Sequence, residues 1–577
     1  MRTLASALVI ALAATACSAG GVESTAATTD APVATVAPIV ASTTSPPTSS
    51  APTTTVSPSA TTTTPTAPTT PTETEALAET ETETETETDA DPTPDAEAAA
   101  EPTIPTPLSG LGDSFYPWLG NGGYDVTHYD LELDVNPVAN TIDAAASLRA
   151  IATEELQEFN LDLSGLKVSA VTVNGAAAEF SRYKTELVIR PAEPIPASTE
   201  FVAEVAYSGS PEPVVDPGVP FEGIGWFSVG EVIFTANEPS GSMSWYPSNN
   251  HPTDKATFTI RITVPERFTA ASNGLLTHEA VVDGRRTVTW ESDDPMATYL
   301  AAVYVGEFER HEYRLRDDLL IRDYIPSSLS DAAATSTVEA LSITPGAIEY
   351  FEGLLGPYPF DAYGTIVMPF TLGFAMENQT LSLHGTQTLG SQIIAHELAH
   401  QWFGNSVTVA DWSDIWLHEG FAHYLSFLYL AEVQGEDLEA LMARELETAT
   451  FAGAAPPGGI TVAQLFDFNA VYRRAMLTLH ALHRRVGDDV FFDILRRHYE
   501  SSAGGTTNTA EFLAVVEELA GAGAVELVEM WLYDTEVPSI LEEPGRLPAR
   551  QRDNRMTPRS TAEPPAIALL WGMMGPL

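Results

Sequence analysis

A His-Glu-x-x-His motif at residues 396–400 constrains this chain more than any other feature of its sequence. On a helix, His396 and His400 lie on one face about one turn apart, so both reach the same metal ion. Glu419 follows after 18 intervening residues, in a second stretch with helical periodicity. That gap is long enough to end one helix, turn, and begin another. The pattern therefore predicts two neighbouring helices that share one metal site.

The three residue types at this spacing suit zinc. Zinc prefers imidazole nitrogen and carboxylate oxygen, and a His, His, Glu set leaves a fourth position open for water. We therefore predict His396, His400 and Glu419 as the ligands of one zinc ion, with Glu397 as the general base. The motif alone also occurs by chance on surface helices. The apolar residues on both sides of this one indicate a half-buried helix, which favours the metal site.

Length and charge exclude several classes of protein. A chain of 577 residues predicts more than one domain. The formal net charge is −52, from 79 acidic and 27 basic residues. A surface this acidic repels phosphate groups, so binding to nucleic acid or to anionic lipid is excluded as a main role.

The N-terminus resembles an export signal. Residues 4–14 form an apolar run behind Arg2, and the run is too short to span a membrane comfortably. Small residues ahead of Cys17, the only cysteine, resemble a bacterial lipoprotein signal covering residues 1–17. The resemblance implies lipid attachment at Cys17 on the cell surface, with the lipid as the only membrane contact. The alternative is a secretory signal cut near Ala16, which gives a secreted protein.

Composition divides the rest of the chain into four parts. Residues 18–108 are rich in Thr, Pro and Glu, and hold 14 acidic residues without a Lys or Arg, so we predict a disordered tether. Residues 109–312 show short alternating stretches and turn signals, which predict an antiparallel β domain. Residues 313–545 are dominated by helical periodicity and predict a mostly helical catalytic domain. Residues 546–577 predict a disordered tail, to which we assign no role.

Two further motifs accompany the metal motif. Residues 373–379 read Gly-Phe-Ala-Met-Glu-Asn-Gln, and Tyr472 stands directly ahead of a helical pattern. With Trp-Leu-His-Glu-Gly-Phe-Ala at 416–422 and Gly-Pro-Tyr-Pro-Phe at 356–360, the set resembles the zinc aminopeptidases of the aminopeptidase N and leukotriene hydrolase family. The resemblance covers roughly residues 110–545. It implies an N-terminal β-sandwich or saddle domain followed by a thermolysin-like, mostly helical zinc peptidase domain.

The resemblance also implies roles for individual residues. Glu397 matches the general base that acts on a zinc-activated water, and Tyr472 matches the tyrosine that stabilises the oxyanion. Glu377 matches the glutamate that binds the free α-amine of the substrate. Glu238, in Thr-Ala-Asn-Glu-Pro at 235–239, matches a second amine-binding group on a weaker alignment.

Several positions near these motifs remain open. Ala375 and Met376 are predicted to contribute to the substrate site, and Phe374, where a smaller residue is common, to line the pocket for the first side chain. His418 occupies a position where relatives usually carry Asn, and His423 is unassigned. Each of these two histidines could be a donor to a ligand, a surface residue or a spare ligand.

The sequence thus predicts an exported zinc aminopeptidase with one zinc ion, acting on peptides with a free N-terminus. The alternatives are a zinc endopeptidase, if the amine anchors are misassigned, and a surface-binding lipoprotein with a relic site. Intact Glu397 and Tyr472 speak against the relic. We expect a monomer that binds no nucleic acid, although the sequence does not determine the oligomeric state.

Overall fold

A computed structural model describes residues 110–221 and 223–539 of the chain. The predicted signal with Cys17, the tether and the tail from residue 546 onward lie outside the described residues and stay predictions. Within the described ranges, no helix combines the length and the apolar character that crossing a membrane requires.

The first part of the described chain is built from strands, as predicted. Their bounds are β1 Tyr124–Asn136, β2 Thr141–Ala152, β3 Phe159–Asp162, β4 Lys167–Val173, β5 Ala176–Ala177, β6 Glu179–Tyr183, β7 Glu186–Arg190, β8 Glu200–Gly209, β9 Gly225–Val229, β10 Val232–Ala236, β11 Lys255–Pro265, β12 Thr269–Ser272, β13 Leu275–Val282, β14 Arg285–Ala297 and β15 Val303–Gly306.

These strands form three sheets. The largest has eight strands in the order β13-β14-β11-β1-β2-β8-β4-β5, beside sheets ordered β12-β15-β10-β9 and β3-β7-β6. Buried residues alternate with more exposed ones along β1, and with half-buried ones along β11, as expected for strands with one face on the core. The prediction of an antiparallel domain holds with one exception: β1 and β11 pair in parallel. A parallel pair needs a long connection, and here most of the domain lies between its two strands.

The second part is mostly helical, again as predicted. Its strands are β16 Phe308–Arg316, β17 Leu319–Pro326, β18 Ala362–Tyr363, β19 Thr365–Val367, β20 Ser382–His384, β21 Thr408–Val409 and β22 Thr506–Thr507. Its helices are α1 Asp331–Leu341, α2 Thr344–Leu355, α3 Ser391–Ala399, α4 Trp416–Gln434, α5 Leu438–Ala452, α6 Ala475–Val486, α7 Asp488–Ser502, α8 Thr509–Ala520 and α9 Ala522–Tyr533. Strands β16 to β20 form one sheet, in which β17 pairs with both β18 and β19.

Two helical stretches differ from the sequence prediction. Helical periodicity predicts one helix over residues 337–354, but the structure has α1 and α2, and Pro345 stands in the first turn of α2. Proline has no N–H to donate, so it is tolerated where a helix begins and not in its interior. The second stretch, predicted as one helix over 470–486, begins as a π-helix at Phe468–Arg474 and continues as α6.

Helix α4 is the centre of the helical domain. Every residue from Trp416 to Leu430 is buried, so this helix is covered on all sides. Gly435 ends it in the left-handed conformation, with φ at 65°. One continuous core of buried apolar residues runs from Tyr116 in the β domain to Leu532 in α9. The two domains therefore pack through a shared core, which holds residues of both in fixed relation at the site.

Candidate metal centre and active site

The three predicted metal ligands converge on one point. His396 lies on α3, His400 caps its end, and Glu419 lies in the first turn of α4, which packs against α3. Nε2 of His396 is 3.0 Å from Nε2 of His400 and 3.2 Å from Oε2 of Glu419. Nε2 of His400 is 3.4 Å from the same carboxylate oxygen. His400 and Glu419 are buried, while His396 keeps 12% of its side chain exposed.

These separations fit a zinc ion. Ligand atoms about 2.0–2.1 Å from a tetrahedral zinc lie about 3.3 Å from one another. The observed separations of 3.0, 3.2 and 3.4 Å bracket that value. Two imidazole nitrogens this close repel through their lone pairs unless a proton or a cation lies between them. The donor set and its spacing therefore suit a divalent cation.

Surrounding groups orient the ligands and favour positive charge. Nδ1 of His400 donates to the carbonyl oxygen of Phe403 at 3.0 Å, which leaves Nε2 as the atom that faces the site. Burial lowers the pKa of His400, but the carboxylates of Glu419 and Glu377 outweigh it and raise this pKa to about 10. The same negative charge that stabilises a proton on His400 also stabilises a metal cation at this position.

Glu397 lies beside the ligands. Its carboxylate, with that of Glu377 and a nitrogen of His400, forms a group whose ligand atoms all lie within 4.8 Å of one another. Burial raises the pKa of the Glu397 carboxyl well above its ordinary value; charge on His400 lowers it, and Glu377 and Glu419 raise it further. A carboxylate in this environment is a stronger proton acceptor than one in water.

Tyr472 reaches the site from the π-helix. Its ring lies 6.0 Å from that of His396 and stacks on Phe468 at 5.3 Å. Burial, followed by the charges of Glu419, Glu238, Glu377 and Glu397, raises the pKa of the phenol well above its ordinary value. The hydroxyl therefore keeps its proton and remains a hydrogen-bond donor. Isolated π-helical turns are frequently found at functional sites.

Glu377 and Glu238 approach the site from different domains. Glu377 lies within the 373–379 motif and is buried, and Glu238 follows β10 and is half-buried. Within the described residues, Oε1 of each is buried without a hydrogen-bond partner. Burial raises the pKa of Glu238 well above its ordinary value, and the charge of Glu377 raises it further. Two unpaired, mutually repelling carboxylates call for a cationic partner.

The neighbouring motif residues have different surroundings. Met376 pairs with Leu383 through backbone hydrogen bonds of 2.9 and 2.7 Å, and its side chain packs into the main core. This bridge holds the segment against β20. Ala375 and Phe374 are half-buried, and the ring of Phe374 lies 5.6 Å from that of Phe221. Contact of these residues with substrate stays a prediction.

The two unassigned histidines on α4 are both buried. In the described part of the chain, neither ring nitrogen of His418 has a partner, and burial lowers its pKa to about 3. The His423 ring lies 5.6 Å from the ring of His396 and 6.0 Å from that of Tyr472. His423 therefore packs beside both a predicted ligand and the predicted oxyanion donor, and neither His423 nor His418 is a surface residue.

The sequence prediction missed two polar residues that follow the ligand helix. Gln401 and Asn405 are fully buried and hydrogen-bond to the backbone of the Glu377 segment. The sequence places an amide residue on either side of the apolar Trp402 and Phe403. Because polar side chains in a buried stretch need hydrogen-bond partners, this pattern could have predicted that both amides bind a neighbouring segment.

Comparison with known proteins agrees with this architecture. Residues 126–300 match the peptidase M1 N-terminal domain, and residues 339–531 match the peptidase family M1 domain. The structure superposes on the M1 zinc metallopeptidase of Deinococcus radiodurans with a TM-score of 0.71 and 32% identity, over 76% of this chain and 100% of that one. A mutant of that enzyme bound to a Tyr-Ser-Ala substrate gives 0.70 and 32%, over 75% of this chain and 99% of that one.

Curated relatives are longer than the matched region. Aminopeptidase M1 of Arabidopsis thaliana is 27% identical over 331 residues, which are 53% of this chain and 37% of the relative. Human glutamyl aminopeptidase is 27% identical over 376 residues, 60% of this chain and 38% of the relative. The chain therefore spans less than half the length of these relatives.

A β-rich domain followed by a helical domain is the arrangement of the two-domain M1 zinc metallopeptidases that the structure matches. The chain belongs to peptidase family M1.

Metal removal tests the ligand set directly. We expect chelation to abolish hydrolysis and zinc to restore it. A ligand that binds only the folded state adds about 2.7 kcal/mol to the unfolding free energy when its free concentration is about 100 times its Kd. The measurement is calorimetric unfolding with and without zinc. His396→Ala and Glu419→Ala should lose the zinc-dependent rise, whereas His311→Ala, on exposed β16, should keep it. An equal rise in all three variants would contradict the assignment.

Proposed function

We propose that this chain is a zinc-dependent aminopeptidase that removes the N-terminal residue from peptides. One observation carries the proposal: two buried carboxylate oxygens without partners, on Glu377 and Glu238, lie next to the predicted metal ligands. A free peptide N-terminus is a compact cation that satisfies both carboxylates. Membership of family M1, whose matched relatives include aminopeptidases, supports the same activity.

The proposed reaction assigns one role to each of these side chains. A bound zinc ion supplies Lewis acidity to the scissile carbonyl and to a water molecule. Glu397 accepts the proton of that water and passes it to the leaving amine. The hydroxyl of Tyr472 donates to the oxygen on which negative charge develops. Glu377 and Glu238 accept hydrogen bonds from the substrate ammonium, which places the first peptide bond at the reacting groups.

Amine selectivity is the decisive experiment. We expect the full chain, loaded with zinc, to cleave leucyl anilide and to leave N-acetyl-leucyl anilide almost uncleaved. Glu377→Gln and Glu238→Gln should each lower kcat/KM for the free amine by about 10- to 100-fold, since a hydrogen bond to a charged group contributes about 1.5–3 kcal/mol. Steady-state kinetics on both substrates measure the effect.

Glu186→Gln is the matched control. Its side chain lies on β7, in the β3-β7-β6 sheet, and belongs to neither group of metal-ligating side chains among the described residues, so this variant should keep the wild-type kcat/KM on both substrates. Equal cleavage of the acetylated substrate would show that the amine anchors are misassigned and that the chain is a zinc endopeptidase. Zinc binding without cleavage of either substrate would favour the relic binding protein.

We also propose that the protein is exported and anchored to the cell surface through a lipid on Cys17. The support is the residue pattern around Cys17, which lies outside the described residues. Labelling with a fatty-acid analogue in the bacterial host tests the proposal. Labelled wild type with an unlabelled Cys17→Ser variant supports the anchor, and unlabelled wild type in the culture medium supports secretion.

A further inference from the structure

The segment that carries Glu377 is held by two amide side chains from the turn after α3. Nε2 of Gln401 and Nδ2 of Asn405 both donate to the carbonyl oxygen of Glu377, at 3.0 and 2.8 Å. Oε1 of Gln401 also accepts from the backbone N–H of Thr380 at 2.9 Å. Three hydrogen bonds from two fully buried side chains therefore connect residues 377–380 to this turn.

The turn itself is joined to a predicted metal ligand. Gln401 follows His400 directly, and the backbone N–H of Asn405 donates to the carbonyl oxygen of His400 at 2.9 Å. Each connection from the predicted ligand His400 to the backbone of Glu377 therefore runs through a single side chain, that of Gln401 or that of Asn405. So short a connection leaves little freedom in the distance between the ligand helix and the Glu377 carboxylate.

The β domain holds the same turn from the other side. Nζ of Lys255 donates to the carbonyl oxygens of Asn405 and Ser406, both at 2.9 Å. The hydroxyl of Tyr299 donates to the carbonyl oxygen of Gly404 at 2.8 Å. The turn is therefore fixed by contacts from two domains, and it acts as a rigid support.

The opposite end of the Glu377 segment is held as well. Nδ2 of Asn273 donates to the carbonyl oxygen of Gln379 at 2.7 Å. The backbone N–H of Gly274 donates to Oγ1 of Thr380 at 2.8 Å. Both ends of the segment are therefore held. At residue 377, Gln401 and Asn405 hold the backbone carbonyl group, and they thereby determine the position of the Glu377 side chain relative to the predicted ligands.

We propose that Gln401 and Asn405 are positioning residues that set the distance between the metal ligands and the carboxylate of Glu377. They thereby select substrates whose charged amine lies one residue from the scissile bond. The inference rests on the proposed function and deepens it, since the amides act only through Glu377. A displacement of about 1 Å in a positioned group can cost about 10²-fold in rate.

A double-mutant cycle in the full-length, zinc-loaded protein tests this inference. Gln401→Met and Asn405→Leu remove the amide hydrogens and approximately keep the volume; each is made alone and together with Glu377→Ala. With Glu377 present, we expect kcat/KM for leucyl anilide to fall about 10- to 100-fold and calorimetric binding of free L-leucine to weaken. In the Glu377→Ala background the same substitutions should change either value less than about twofold, because coupled residues are not additive.

A merely structural role gives a different result. Equal losses in both backgrounds, or loss of bound zinc measured by atomic absorption, would overturn the inference. If Gln401→Met does not fold, as judged by circular dichroism, Asn405→Leu carries the test because it removes one side-chain bond to the segment. Asn121→Leu, a buried amide in the β domain, is the control and should lower the melting temperature without changing amine selectivity.

Failure of the proposed function is recognised separately. If wild type and Glu377→Ala bind L-leucine and cleave leucyl anilide equally well, Glu377 is not the amine anchor and the positioning inference falls, while the aminopeptidase function stands as long as N-acetyl-leucyl anilide remains uncleaved. If Glu377→Ala loses selectivity but the amide variants keep it, only the positioning role is wrong.

Discussion

Glu397→Gln should lower kcat by about 10²- to 10⁴-fold, the range that a general base contributes. Gln has the shape of Glu but cannot accept the proton of the attacking water. The buried position of Glu397 and its neighbouring carboxylates raise the pKa of the wild-type side chain. The substitution therefore removes a strong proton acceptor, and we expect the whole of its contribution to kcat to be lost. Steady-state kinetics on leucyl anilide measure the loss.

Zinc content distinguishes the loss of a base from the loss of the metal. Glu397→Gln should keep one equivalent of zinc, since His396, His400 and Glu419 are unchanged. Glu432→Gln, an exposed position on α4, is the control and should have wild-type kcat. If Glu397→Gln retains more than about a tenth of the activity with zinc bound, the base is a different residue.

Tyr472→Phe should lower kcat by about 10²- to 10³-fold with little change in KM, as expected for the loss of one oxyanion donor. The phenylalanine ring keeps the stacking on Phe468 and the contact with His396, so the melting temperature should stay close to that of the wild type. Because the pKa of the phenol is raised well above its ordinary value, Tyr472 stays protonated. The ratio of wild-type to variant activity should therefore stay constant between about pH 6 and pH 9.

Tyr424→Phe is the matched control. Tyr424 is a buried tyrosine on α4 whose hydroxyl contacts His480 and His483, outside the proposed site. It should keep wild-type kcat, with at most a small loss of stability. A Tyr472→Phe variant with full activity would show that Tyr472 is a packing residue and that the oxyanion is stabilised by another group.

Local patterns predicted the fold class. Alternating residues indicated the β domain, and helical periodicity indicated the helical domain; the structure confirms both. The ligand spacing placed His396 and His400 on one helical face and Glu419 on a second helix, and the structure brings the three together. Such patterns can be read locally because they depend on residues two to four positions apart.

Competing local effects explain the errors. Apolar periodicity continues through Pro345, so the break between α1 and α2 depends on proline chemistry and not on the pattern. The apolar pattern of the π-helix before α6 cannot be distinguished from that of an ordinary α-helix. Apolar periodicity does not report the extra residue in each turn of a π-helix.

By itself, the sequence determined the chemical groups of the site and the type of element that carries most of them. The resemblance predicted that Glu377 and Glu238 share one amine site, but only the tertiary structure decided that Gln401 and Asn405 hold the Glu377 backbone. Gln401 and Asn405 lie 24 and 28 residues from Glu377 in the sequence, and they reach it because the turn after α3 packs against the segment before β20. Contacts of this kind result from the packing of whole elements, so no short-range pattern encodes them.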